Sequence, residues 1–399
     1  MYLPSISEFS PFDLKRLLTT CFGQSDKLLS PCILIDLVDI NLIKDLKFYS
    51  LDNFDVQKRA LDHFWYPLNG GIGKDLNYSN CDLYAYKSTG GSNLDPENIL
   101  MNPSGKQFGF SEDICPKYDL IFAISDYSLT APLTAMAKTH GFRGATLHGV
   151  NDIILNSGLS VDYTLVSRQA ESFRQILDMA DSFTLYLECL NQTYELTIQC
   201  GNQTAQKSHG LCPPGLPDVA NLPAGEVYFV PTSANGSFPF KFSDGTLARM
   251  DVADGKICEC SLLSGNQDVV TDRSTQLRED PATGIIGELG FGTQLLPFSG
   301  KDIQDEKILG TCHVATGRSD HLGGNLTPNL FKSRKNASHD DILFSPNKTP
   351  EINITKVEMS KGGTRNTIIE DFSPSDFVLN LLGSEYPVDR ISSAKALPM

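Results

Sequence analysis

The chain's 399 residues, 40% hydrophobic and 9% aromatic, have the composition of a folded globular protein and are too many for one ordinary core, so two domains are expected. A formal charge of −15 leaves no basic stripe to displace counterions from a phosphate backbone, which excludes nucleic acid as a partner. No stretch approaches the roughly 20 apolar residues that span a bilayer, and MYLPSISEFSPFDLKR lacks the basic-then-apolar pattern of a signal peptide, so a cytoplasmic chain with no membrane partner is expected.

The first 115 residues are the hardest to read. DLKRLLTTCFG has helical spacing, ILIDLVDINLI suits a strand or a helix, and a polar passage rich in Gly and Asn runs from Asn69 to Gly109. GGIGKD at Gly70 to Asp75 lacks the first Gly of a phosphate loop and has Asp75 where Ser or Thr would hold magnesium. From Tyr118 the pattern alternates. YDLIFAISD reads as a strand, SLTAPLTAMAKTH as a helix closed by Gly141, FRGATLHG as a strand, and Ser167 to Ala180 as a helix with apolar Phe173, Ile176, Leu177 and Ala180. That order predicts a parallel sheet with right-handed crossovers.

After about Asp181 the texture becomes strand-rich. TLYLECL and TYELTIQC flank an Asn191-Gln192 turn, and Asp244-Gly245 and Asp254-Gly255 are hairpin signals between FPFKF, TLARMDV and KICECSL. Lys207 to Pro223, dense in Pro and Gly, reads as a loop. The expected fold is therefore α/β: an N-terminal α/β domain over residues 1–190 and a strand-rich α+β metal-binding domain over 191–399. The ten cysteines include no C-x-x-C pair and read as free buried thiols.

Four strings in the second half carry the chemistry: GEVYFVP with Glu226, GELGFGT with Glu288, ILGTCHVATGRSD with His313, and SHDDIL with His339 and Asp341. Carboxylates and imidazoles in these numbers are the ligand set that a pair of divalent ions needs. In a strand, residues i and i+2 face the same way, so His339 and Asp341 can grip one ion while Asp340 points to the other face. Glu226 and Tyr228 likewise share a face opposite Val227 and Phe229. Glu288 lies in a glycine-rich apolar passage, where a carboxylate must be paired or metal-bound. Singly, Glu226 reads as a solvated strand glutamate and His313 as a satisfied core histidine; their co-occurrence is what points to a site.

In the order NLPAGEVY, GELGFGT, LGTCHVATGR and H-x-D, the chain resembles the thermophilic leucyl aminopeptidases, the aminopeptidase T and aminopeptidase S group, whose strings run close to NLPxGEVF, GExxLGTN, HIALG and HWD. The resemblance covers roughly residues 115 to 370. It implies Glu226, Glu288 and His313 around one metal, Glu288, His339 and Asp341 around the other, and Glu288 as the bridge. It further implies two zinc, cobalt or manganese ions, a homodimer, and hydrolysis of short peptides with a free N-terminus. There the ions would lower the pKa of a bridging water and polarise the scissile carbonyl, with Glu288 shuttling the proton.

Two departures stand out. Asp320, followed by His321, holds the place of a family tyrosine seven residues after the histidine, and HWD has become HDD. Asp320 could anchor a substrate ammonium, but it would repel an oxyanion. A rival reading from the same superfamily is an iron(II) dioxygenase that opens dihydroxypyridine rings; it keeps the H-x-D pair and has a histidine near the place of Glu288. A binding protein that has lost turnover is the third.

Overall fold

The computed structural model describes residues 1–395, and the fold is mixed α/β. It divides into two compact units, Ser5–Ser167 with His209–Ala224, and Met1–Pro4 with Arg168–Ser208 and the chain from Gly225 onward.

The first unit is built on a seven-stranded sheet in the order Val219–Asn221, Arg143–His148, Leu120–Ser125, Pro31–Leu37, Asp82–Lys87, Ile99–Met101, Gln107–Gly109. The first five run parallel and the last two are added antiparallel. Pro31–Leu37 and Leu120–Ser125 are buried along their whole lengths, as strands covered on both faces must be. Helix Thr130–His140 ends where Gly141 takes φ 87° and donates to the Ala137 carbonyl at 2.8 Å. The ambiguous ILIDLVDINLI divides: it is strand to Leu37, and then the Asp39 side chain accepts from the Asn41 amide and starts the tight turns of Ile40–Ser50. GGIGKD forms helical turns, with Asp75 paired to Lys15 at 2.8 Å. The stretch read as a loop, Lys207 to Pro223, contributes the strand Val219–Asn221, whose three residues are too few to show against the surrounding Pro and Gly.

The second unit holds two antiparallel sheets. The larger, of eight strands, contains the expected hairpins. Leu190 and Asn191 (φ 50° and 59°) and Asp254 and Gly255 (φ 49° and 79°) have the left-handed backbone that two-residue turns require, which sets the first turn one residue earlier than the sequence suggests. The smaller sheet runs His339–Phe344, Cys312–Gly317, Ile286–Gly292, Glu226–Phe229, Gln206–Ser208. Phe183 of the larger sheet stacks 5.2 Å from Phe229 and 5.1 Å from Phe291 of the smaller, so the two face each other across an aromatic core. Phe173, Ile176 and Leu177 of the helix Tyr163–Leu177 join that core. The cysteines are free and only Cys258 is exposed. No helix among the described residues is long and apolar enough to cross a membrane.

Candidate metal centre

Strand register assembles the site. Glu226 lies opposite Gly292 and Tyr228 opposite Gly290; Gly290 lies opposite His313, Ala315 opposite both Glu288 and Asp341, and Gly317 opposite His339. Side chains alternate along each strand, so Glu226, Glu288, His313, His339 and Asp341 all stand on the face of the five-stranded sheet turned away from Phe183. Asp340, opposite Thr316, points to the other face. The glycines of GELGFG make the room. A Cβ at Gly290 would lie 2.2 Å from the His313 ring, and one at Gly292 would lie 2.1 Å from the carbonyl oxygen of Ile308.

His339 is held by its Nδ1, which donates to the Arg318 carbonyl at 2.6 Å and so presents Nε2 to Glu288 Oε2 at 2.9 Å and Asp341 Oδ1 at 3.3 Å. A carbonyl behind a histidine in this way fixes which nitrogen faces a metal. His313 Nε2 lies 3.7 Å from both Glu226 and Glu288, and its buried Nδ1 has no hydrogen-bond partner. Among the described residues, ligand atoms within 4.8 Å of one another occur in three groups: Glu226, Glu288 and His313; Glu288, His339 and Asp341; and Glu306, His313 and Asp341.

Burial opposes every charge in this cluster, and the pairing decides the outcome. For Glu288 the two imidazoles outweigh desolvation and hold the carboxyl below the usual range. Desolvation would discharge the histidines, but Glu288 and Glu306 push His313 up to about 9, and Asp341 and Glu288 raise His339 well above the ordinary value. Glu306 is pushed up to about 8 by burial that Lys307 only partly offsets. Carboxylates converging on imidazoles that must hold protons to neutralise them form a set suited to a divalent cation, which would replace those protons.

Glu306 and Lys307 are functional candidates that sequence reasoning missed. They sit in the charged triplet DEK before an apolar strand, a pattern that reads as a solvated turn, yet Lys307 is 1% exposed, with Nζ 2.7 Å from Glu226 and 2.6 Å from Glu306. Asp320 is not drawn into the ligand groups; Arg318 binds both its oxygens, at 2.7 and 3.2 Å. His321 is close. Its ring packs edge-on at 4.9 Å from that of His339, Nδ1 is buried without a partner, and burial with the neighbouring His339 charge pushes its pKa down to about 3, leaving it neutral.

No family model and no curated protein matches the chain. Among solved structures it is similar to 2,5-dihydroxypyridine dioxygenase from Pseudomonas putida KT2440, with 12% identity over 90% of this chain and 93% of that one and a TM-score of 0.54. The fold is shared. This corrects the expected leucyl aminopeptidase resemblance, and with it the hydrolase activity on short peptides, because a solved structure that shares this fold is that of a dioxygenase. The physical reason is that alternating Glu, His and H-x-D on one sheet face specify metal-ligand geometry, which different reactions can use.

Proposed function

We propose that this chain is an oxygenase that uses a divalent metal, iron(II), to open a small hydroxylated aromatic or heteroaromatic ring. The observation that carries the reading is where the ligand group meets space. Of Glu288, His339 and Asp341, only the Asp341 side chain, 28% exposed against 5% and 4%, reaches outward, and it forms part of the wall of a mostly apolar cavity of about 340 Å³ with Phe240, Phe242 and Leu343. That volume suits a one-ring molecule. The shared fold supports the same reaction class.

His339, Asp341 and Glu288 would hold the ion, with His313 on the other oxygen of Glu288; an iron ion there would supply a redox-active centre for dioxygen. This set has a carboxylate where the commoner two-histidine triad has an imidazole. The Arg318 carbonyl orients His339, and neutral His321 packs against its ring and helps fix its position. Ring opening places both atoms of dioxygen in the product and breaks one ring carbon–carbon bond. The ring supplies the electrons, so no outside reductant is needed.

Elemental analysis after anaerobic purification should find iron, and an oxygen electrode should record uptake with 2,5-dihydroxypyridine or a related dihydroxylated ring, matched by loss of ring absorbance. Iron-loaded protein that consumes no oxygen with any ring in such a panel would sink the proposal. A chain that takes up no metal would be a binding protein on this fold.

A further inference from the structure

We infer that Lys307 is a built-in cation that fills the second half of the cluster, so that a constellation with ligands enough for two metal ions holds one. The inference rests on the metal reading above and concerns how many ions the cluster can take.

A second ion would need the group Glu226, Glu288 and His313, or the group Glu306, His313 and Asp341. Lys307 engages a carboxylate of each, with its ammonium 2.7 Å from Glu226 Oε1 and 2.6 Å from Glu306 Oε1. Glu226 turns its other oxygen, Oε2, to His313 at 3.7 Å, so a metal ion, which binds carboxylate oxygens at about 2.0–2.2 Å, would have to share the Glu226 carboxylate with this ammonium. Two buried like charges at such separation also repel strongly, with little water to screen them. The side chain is 1% exposed and has no solvent to retreat into.

The backbone leaves Lys307 little freedom to withdraw. Its amide donates to the Gln304 carbonyl at 2.9 Å and its carbonyl accepts from the Gln294 amide at 2.7 Å. The next residue, Ile308, passes directly over Gly292, where a Cβ would lie 2.1 Å from the Ile308 carbonyl oxygen. Gly292 is the cross-strand partner of Glu226. The last glycine of GELGFG thus admits the segment that delivers the ammonium to the first carboxylate of the set. Lys307 is a positioning residue: it holds Glu226 and Glu306 and touches none of the atoms of the Glu288, His339 and Asp341 group.

The test counts ions in the full-length chain by equilibrium dialysis against manganese(II), a redox-silent probe, with elemental analysis and electron paramagnetic resonance. Wild type should saturate at one ion per chain with an isolated-ion spectrum. Lys307→Gln should take two, with the altered spectrum of a coupled pair bridged through Glu288, and adding Glu226→Gln should return it to one. Two ions in wild type, or one in a Lys307→Gln protein that melts cooperatively, would overturn the inference. If Lys307→Gln alone does not fold, Lys307→Gln with Glu306→Gln removes a carboxylate together with the ammonium and carries the same test through Glu226, Glu288 and His313. No ion in wild type removes the metal reading itself, whereas one ion in all these proteins removes only the role given to Lys307.

Discussion

The two faces of the five-stranded sheet are both buried, and they use burial in opposite ways. One carries Val227, Phe229, Leu289, Phe291 and Val314 into the aromatic core; the other carries Glu226, Glu288, His313 and His339. On the first face every side chain removed from water stabilises the fold, by about 1.5–3 kcal/mol for a large one. On the second, desolvation works against each charged group, and the cluster persists only because Lys307 and the protonated imidazoles face the carboxylates. Neighbouring residues of a single strand, Glu288 and Leu289, therefore do different work. Substitutions on one face should be felt as stability and on the other as metal binding.

That contrast is tested most severely at Phe291 and His339. Phe291→Ala removes the ring that meets Phe183 and should lose about 3–5 kcal/mol, seen as a lower denaturant midpoint at unchanged slope, while the folded fraction keeps its metal content. His339→Ala should do the reverse. Its metal affinity, measured by chelator competition, should fall by more than the roughly 10–100-fold typical of losing an outer-shell partner. If Phe291→Ala sheds metal while fully folded, the two faces are coupled and the division fails.

Proton concentration sharpens the comparison because the ligand face carries the imidazoles. In the metal-free protein His313, raised from 6.5 to about 9, contributes stability that is fully present below pH 6.5 and is lost as pH rises through about 9. Glu306, raised from 4.5 to about 8, acts in the same direction, since its ionisation is resisted in the folded state. The metal-free melting temperature should therefore fall between pH 6.5 and 9, and metal affinity should rise over the same window as protons leave His313 and His339. A metal-free melting temperature that climbs through this window would contradict the charge arrangement. The smallest effect belongs to Asp340, which is exposed, points away from the cluster and bonds Ser338 at 2.6 Å. Asp340→Asn should change stability by about 0.5 kcal/mol or less and leave metal content alone, whereas Asp341→Asn should weaken it.

Much of this site was legible before any coordinates. Strand alternation is a local property with a period of two, so GEVYF, GELGF and H-D-D by themselves determined that Glu226 parts from Val227, Glu288 from Leu289, and His339 and Asp341 from Asp340. The run from YDLIFAISD through the helix closed by Gly141 to FRGATLHG likewise determined the parallel half, because apolar strands, helical spacing and a left-handed cap are written in consecutive residues. What only the tertiary structure decided is set by contacts between distant segments. These include the order of four strands that brings five ligand candidates to one face, and the path of the chain over Gly292 that buries Lys307 between Glu226 and Glu306. Asp320 binds Arg318 and not the ligand set for the same reason. A charged triplet such as DEK looks the same in a sequence whether water or a sheet face surrounds it, and only the packing of the remote strands settles which.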